Sequence, residues 1–242
     1  MRIGIYGDSY ADPMKKNNTP NWIDVLRSKY TDVKSYGQAA SNLFYSVDQF
    51  KKTRHLYDKI ILLVTDPSRL WAKNSNITPA SHQFFATPYN LKKYIEFQKT
   101  YTTDPASKEF NIKLLEAGII YMSFMTNRAE DVYKQQLMIK DVLSIDPDVI
   151  LVPCFATSEI NTVKGNLSFI VEKEHKAWGT SWGEVYNFNV NDLRNCHMTA
   201  ENNLVFAEKL INVIENNVPL DLNVNDFVNP SLESKDFYIK KL

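Results

Sequence analysis

Residues 59–65 read KIILLVT, and five consecutive positions, 60 to 64, are Ile, Leu or Val. A strand with one wet face alternates apolar with polar residues, whereas an unbroken apolar run of this length fits a strand covered on both faces. That requirement implies a parallel sheet with helices packed on each side. The flanking sequence supplies the other parts. Arg2 to Tyr6 reads as a first strand broken by Gly7, Val33 to Tyr36 as a second ending at Gly37, and Val149 to Pro153 as a fourth. Helices are predicted between them. Thr19-Pro20 offers a cap and a first-turn proline ahead of Trp22, Ile23, Leu26 and Tyr30, and Leu43 to Phe50 opens a second helix. Ile112 to Thr126 and Ala129 to Leu143 follow. The expected fold class is therefore α/β, with a doubly wound, mainly parallel sheet flanked by helices.

One stretch breaks the rhythm. Residues from about 70 to 108 hold Pro79, Pro88 and Pro105 among many Ser, Thr and Asn residues, and read as an insertion after the third strand with some helix around Leu91 to Lys99. A further helix is expected near Leu167 to Lys176, then an aromatic-rich loop from Trp178 to Phe188. Thr199 is placed to cap a last helix in which Leu204, Ala207, Leu210, Ile211 and Ile214 share a face. Residues 1–218 thus form one domain, and 219–242 a tail without usable periodicity.

Bulk properties exclude several classes. The 28 basic residues equal the 28 acidic ones, so nothing in the overall charge favours nucleic acid or an anionic membrane as partner. No stretch approaches the roughly 20 apolar residues that cross a bilayer, and no charged segment followed by an apolar run marks a leader, so synthesis in the cytosol is expected. Cys154 and Cys196 are read as thiols, and His55, His82 and His175 have no metal-ligand spacing with each other or with cysteine, so no zinc site is expected. Abundant Asn and Lys with only seven Gly hint at an AT-rich viral or bacterial genome, which would allow virion association.

Chemistry concentrates in four segments: GDSYAD (7–12), SYGQAASN (35–42), LLVTDPSR (62–69) and NDLRNCHMTAENN (191–203). Ser9 falls at the C-terminal end of the first strand, the edge at which open α/β sheets bind ligands. A serine hydroxyl needs a base within hydrogen-bond reach and a group that orients the base. His197, just ahead of the last helix, is the candidate base, and Asp192 is the nearest upstream carboxylate. Asp8, beside the nucleophile, is expected to fix the loop through backbone bonds. In order and placement these segments resemble the SGNH (GDSL-like) hydrolase superfamily, over residues 2 to about 217 but without counterparts for the insertion and tail. The resemblance implies a flavodoxin-like three-layer sandwich and a Ser9-His197-Asp192 triad. It implies oxyanion donors at the N–H of Ser9 and, counted from Gly37, the N–H of Ala40, with Ser41 and Asn42 adjacent. The implied activity is cleavage of a small ester or an O-acetylated carbohydrate, a small-molecule partner needing no cofactor.

Two positions depart from the family pattern. The acid usually lies three residues before the histidine, where this chain has Arg194, so either a bulge brings Asp192 into reach or a Ser-His dyad operates. The third oxyanion donor is normally an asparagine, and the corresponding stretch holds Asp66, which Arg69 could neutralise; Asn42 or Arg69 could also take over the role. These departures define the alternative class, a binding or virion-associated protein that keeps the fold with an impaired site. The aromatic cluster of Trp178, Trp182, Tyr186 and Phe188 reads as packing or as a wall for sugar rings.

Overall fold

In a computed structural model the described residues are 1–12, 21–38, 41–67, 69, 92, 95–96, 99–100, 104–124, 127–155, 160, 163–171 and 198–228. Four strands, β1 (Arg2–Tyr6), β2 (Asp32–Ser35), β3 (Lys59–Val64) and β4 (Ile150–Pro153), form one sheet in the order β2-β1-β3-β4, every pairing parallel. The α/β class and the parallel sheet agree with the sequence reading, and β3 covers the KIILLV run that suggested them.

Helices close both faces. Helix α1 (Trp22–Lys29) leads from β1 to β2, α2 (Leu43–Thr53) from β2 back past β1 to β3, and α4 (Arg128–Ile145) precedes β4. With one crossover hand, reversing the direction of travel moves the helix to the opposite face. Accordingly Trp22, Ile23 and Leu26 of α1 join Ile3, Ile5, Ile61, Leu63 and Val152 in one core, whereas Leu43, Val47, Phe50, Ile139 and Val142 join Tyr6, Ile60, Leu62, Val64 and Leu151 in another. The last helix, α5 (Ala200–Asn216), returns to the α1 side, where Phe206 meets Trp22 with ring centroids 5.1 Å apart. Among the described residues no helix is long and apolar enough to cross a membrane.

Several boundaries differ from those expected, each for a local reason. The cap of α1 is Asn21: its side chain accepts from the Asp24 N–H while Asp24 reaches back to the Asn21 N–H, a reciprocal pair that outcompetes the expected Thr19-Pro20 start. Helix α3 (Pro105–Phe124) begins inside the expected insertion, because Pro105 opens a helix whose Ser107 N–H is received by the Asp104 carboxylate. In α5, Thr199 caps as expected, but Leu204 is exposed and Phe206 is buried, so the buried stripe runs through Phe206, Ala207, Leu210 and Ile214. Residues 220–228, the described part of the tail that showed no usable periodicity, are tied into the fold. Asp221–Leu222 (β6) pairs with Lys164–Gly165 (β5), and Leu220, Leu222 and Phe227 enter the α1-side core. Residues 167–171 are helical, in line with the helix expected there; its continuation to Lys176, the loop from Trp178 to Phe188, and most of 70–103 lie outside the described residues.

Tyr6, at the end of β1, stacks on Tyr36 at 5.2 Å and its hydroxyl shares a 2.8 Å hydrogen bond with Thr53 Oγ1. Burial pushes its phenol from 10.0 up to about 12, opposed by the Thr53 bond. The unfolded phenol ionises first, so this contribution to stability is complete below pH 10 and disappears as the pH rises through about 12. Denaturation midpoints measured across pH 9 to 12 are therefore expected to fall for the native protein and to fall less for Tyr6→Phe. Truncating Phe206 to Ala should cost about 3–5 kcal/mol, seen as a lower urea midpoint at unchanged slope.

Candidate functional site

The site grows from the turn that ends β1. A Cβ on Gly7 would stand 2.7 Å from Leu63 Cβ and 3.0 Å from Ala11 Cβ, so only glycine lets the chain leave the sheet this close to β3. The next four residues close a turn in which the Ala11 N–H donates to the Asp8 carbonyl at 3.0 Å and the Tyr10 N–H to Asp8 Oδ1 at 3.0 Å. Ser9, half-buried, lies between Asp8 and the two residues that Asp8 holds, Tyr10 through its carboxylate and Ala11 through its carbonyl. The strand order reverses between β1 and β3, so this turn lies at the topological switch point of the sheet.

Asp8 is fully buried and does more than the expected backbone bonding. Its Oδ2 accepts from Thr65 Oγ1 at 2.8 Å and from Arg69 Nη1 at 2.7 Å, with both charged side chains at most 1% exposed. A buried carboxylate is costly without such a counter-ion, and removing one partner of a pair like this typically costs about 3–5 kcal/mol. Arg69 Nη1 also donates to the Ser41 carbonyl at 2.9 Å, and the guanidinium lies 4.8 Å from the ring centre of Phe155. Behind the site, Gln135 Nε2 donates to the Thr65 carbonyl at 2.7 Å. Cys154 ends the row at β4 as a buried free thiol, pushed up by burial and secondarily by the Asp8 charge.

The loop after β2 is held against the same turn. Gly37 packs so tightly on it that a Cβ would stand 2.2 Å from both the carbonyl carbon and oxygen of Ala11. Ser35 Oγ donates to the Ala11 carbonyl and receives the Gly37 N–H, while the Gln38 N–H and Ser41 Oγ both donate to the Gly7 carbonyl, at 3.2 and 3.1 Å.

Three expected roles change. Arg69 does not neutralise Asp66: its guanidinium turns inward to Asp8, and Asp66 instead faces Arg128 of α4, Oδ1 to Nη1 3.6 Å. Arg69 is thereby withdrawn from direct contact with a substrate, being 1% exposed at the side chain. Asn42 caps α2, its Oδ1 accepting from the Tyr45 N–H at 3.1 Å and its Nδ2 donating to the Arg69 carbonyl at 3.5 Å, so its amide is engaged with the scaffold. Ser41 and Gly37 remain beside the turn through bonds and packing of their own. Ala40, Asp192, Arg194, Cys196 and His197 lie outside the described residues. Thr65, Gln135 and Phe155 were not anticipated, since no spacing along the chain announces side chains that meet only when strands β1, β3 and β4 stand side by side.

One chain of hydrogen bonds ties the approach to α5 to the Ser9 turn. Asn203 Nδ2 donates to the carbonyls of Met198 and Thr199, each at 2.8 Å; its Oδ1 receives the Trp22 N–H at 3.2 Å; and Trp22 Nε1 donates to the Tyr10 carbonyl at 2.9 Å. Met198 and Tyr10 belong to one buried cluster. Among the described residues no group of His, Cys, Asp and Glu is arranged to hold a metal ion.

The chain matches no protein-family model and no curated protein.

Gly37→Ala is expected to force the β2 loop and the Ser9 turn apart. Overpacking of this kind costs about 1–3 kcal/mol or more. Denaturant unfolding should show the loss, whereas Gln38→Ala, which keeps the backbone N–H bonded to the Gly7 carbonyl, should stay near the native midpoint.

Proposed function

We propose that the protein is a serine ester hydrolase of SGNH type, acting on a small ester or an O-acetylated carbohydrate. Ser9 Oγ attacks the acyl carbon while His197 takes its proton and passes it to the departing alcohol. The same imidazole then draws a proton from water, which attacks the acyl-enzyme and frees Ser9. Asp192 orients the imidazole, and N–H groups of the Ser9 and Ala40 segments face the oxygen on which charge develops.

The observation that carries this reading is the hydrogen-bond relay from Met198 through Asn203 and Trp22 to Tyr10. It joins the neighbour of His197 to the neighbour of Ser9 across 181 residues of sequence between its central partners, Trp22 and Asn203. Further support comes from the glycine-bounded turn at the switch point, where a half-buried hydroxyl meets the open edge of the sheet.

Asp66 favours a second reading, an SGNH-like fold that binds without turnover. It occupies the stretch in which the family carries an asparagine donor, and its counter-ion is the peripheral Arg128. A carboxylate near a developing oxyanion raises the barrier instead of lowering it.

A fluorophosphonate probe separates the two. Covalent labelling of the native protein, lost in Ser9→Ala and in His197→Ala, is the expected result, together with p-nitrophenyl acetate turnover that falls at least 100-fold in both variants. Absence of labelling and of turnover in the native protein would leave the binding role.

A further inference from the structure

Among the described residues, the Arg69 side chain reaches the segments leaving all four strands of the sheet. It sits after β3, pairs with Asp8 after β1, donates to Ser41 after β2 and lies over the ring of Phe155 after β4. Both hydrogen bonds leave one nitrogen, Nη1, at 2.7 and 2.9 Å, so the two loops are held at a fixed spacing through a single atom. Its own backbone is anchored as well: the Arg69 N–H donates to the Asp66 carbonyl at 3.3 Å, and its carbonyl receives Asn42 Nδ2. Phe155 in turn meets Tyr10 edge-on at 6.0 Å, which returns the contact to the residue after Ser9.

We propose that Arg69 is a positioning residue for the nucleophile, acting through Asp8 to set the Ser9 turn and through the Ser41 carbonyl to set the facing β2 loop. The inference rests on the reading of Ser9 as nucleophile for its catalytic consequence, though not for the loop coupling itself. Charge neutralisation alone would ask only for a cation near Asp8. The added bond to Ser41 depends on the reach of the arginine side chain, since a lysine nitrogen ends one bond nearer the backbone, and the contact with Phe155 uses a delocalised guanidinium that lysine lacks. Small misplacement of a nucleophile is enough to slow acyl transfer strongly.

Arg69→Lys keeps a cation beside Asp8 and tests the geometry. Its thermal midpoint should stay within a few degrees of native, while the fluorophosphonate labelling rate of Ser9 falls at least 10-fold and p-nitrophenyl acetate turnover loses kcat with KM unchanged. Amide hydrogen exchange should rise at least 10-fold in peptides spanning 7–12 and 36–44 and stay native in 59–64. The double variant Asp8→Asn/Arg69→Met leaves no unpaired buried charge and serves if the lysine variant does not fold. Continued slow labelling and fast loop exchange in it support positioning. Native labelling rates in either variant, or unchanged loop exchange, overturn the proposal. If the native protein itself is not labelled, the hydrolase reading falls, and the exchange measurement alone decides: faster exchange at both loops upholds the coupling and native exchange removes it.

Discussion

Strands β1 and β3 have no face left for water. Ile3, Ile5, Ile61 and Leu63 point into one core and Tyr6, Ile60, Leu62 and Val64 into the other, so polar chemistry is pushed off the strands and onto their ends. The reversal of strand order between β1 and β3 then opens the one edge at which loops from several strands can converge. A carboxylate at that edge sits against two hydrophobic layers and must bring its own counter-ion. The Asp8–Arg69 pair is thus a consequence of the sheet's double burial as much as a feature of the site.

Among the described residues, two pairs of charges flank the site. Asp8 and Arg69 are sealed inside, and their attraction is exercised on backbone geometry. Asp66 and Arg128 lie nearer the surface at a looser 3.6 Å, where water screens them, and they link the β3 loop to the start of α4. Burial holds the Asp131 carboxyl above its ordinary range, with the Asp66 charge a smaller contributor, so the first turn of α4 shares the electrostatics of the β3 loop. The Ser9 turn therefore lies between a compensated interior and an acidic, partly screened shoulder.

The sheet was legible because its signals are local. An apolar run without alternation means two covered faces, and Lys59–Val64 and Arg2–Tyr6 fall where their patterns put them. Helix starts were less so, since Thr19-Pro20 and Asn21 with Asp24 are both reasonable caps, and the reciprocal pair decides between them. Leu204 and Phe206 lie two positions apart on α5, and their exchange of roles depends on where Trp22 stands, which no window of sequence contains. The same limit applies to the site. GDS announced a turn serine at a strand end, but the partner of Asp8 stands 61 positions on and the competitor for it, Asp66, is three residues from that partner. Only the packing of β3 against β1 selects one carboxylate over the other.

The contact between α1 and α5 also sets a schedule for assembly. Strand β1 is made first yet lies inside the sheet, and one of its faces is finished only by Phe206, Ala207, Leu210 and Ile214. Closing so long a loop is entropically slow, and parallel pairing offers no hairpin to shorten it. On the ribosome, the half of the core beneath α1 stays uncovered until residues 200–216 have emerged, while the α2 and α4 half can already be complete. The nascent chain would present that bare apolar face to chaperones until this helix is made.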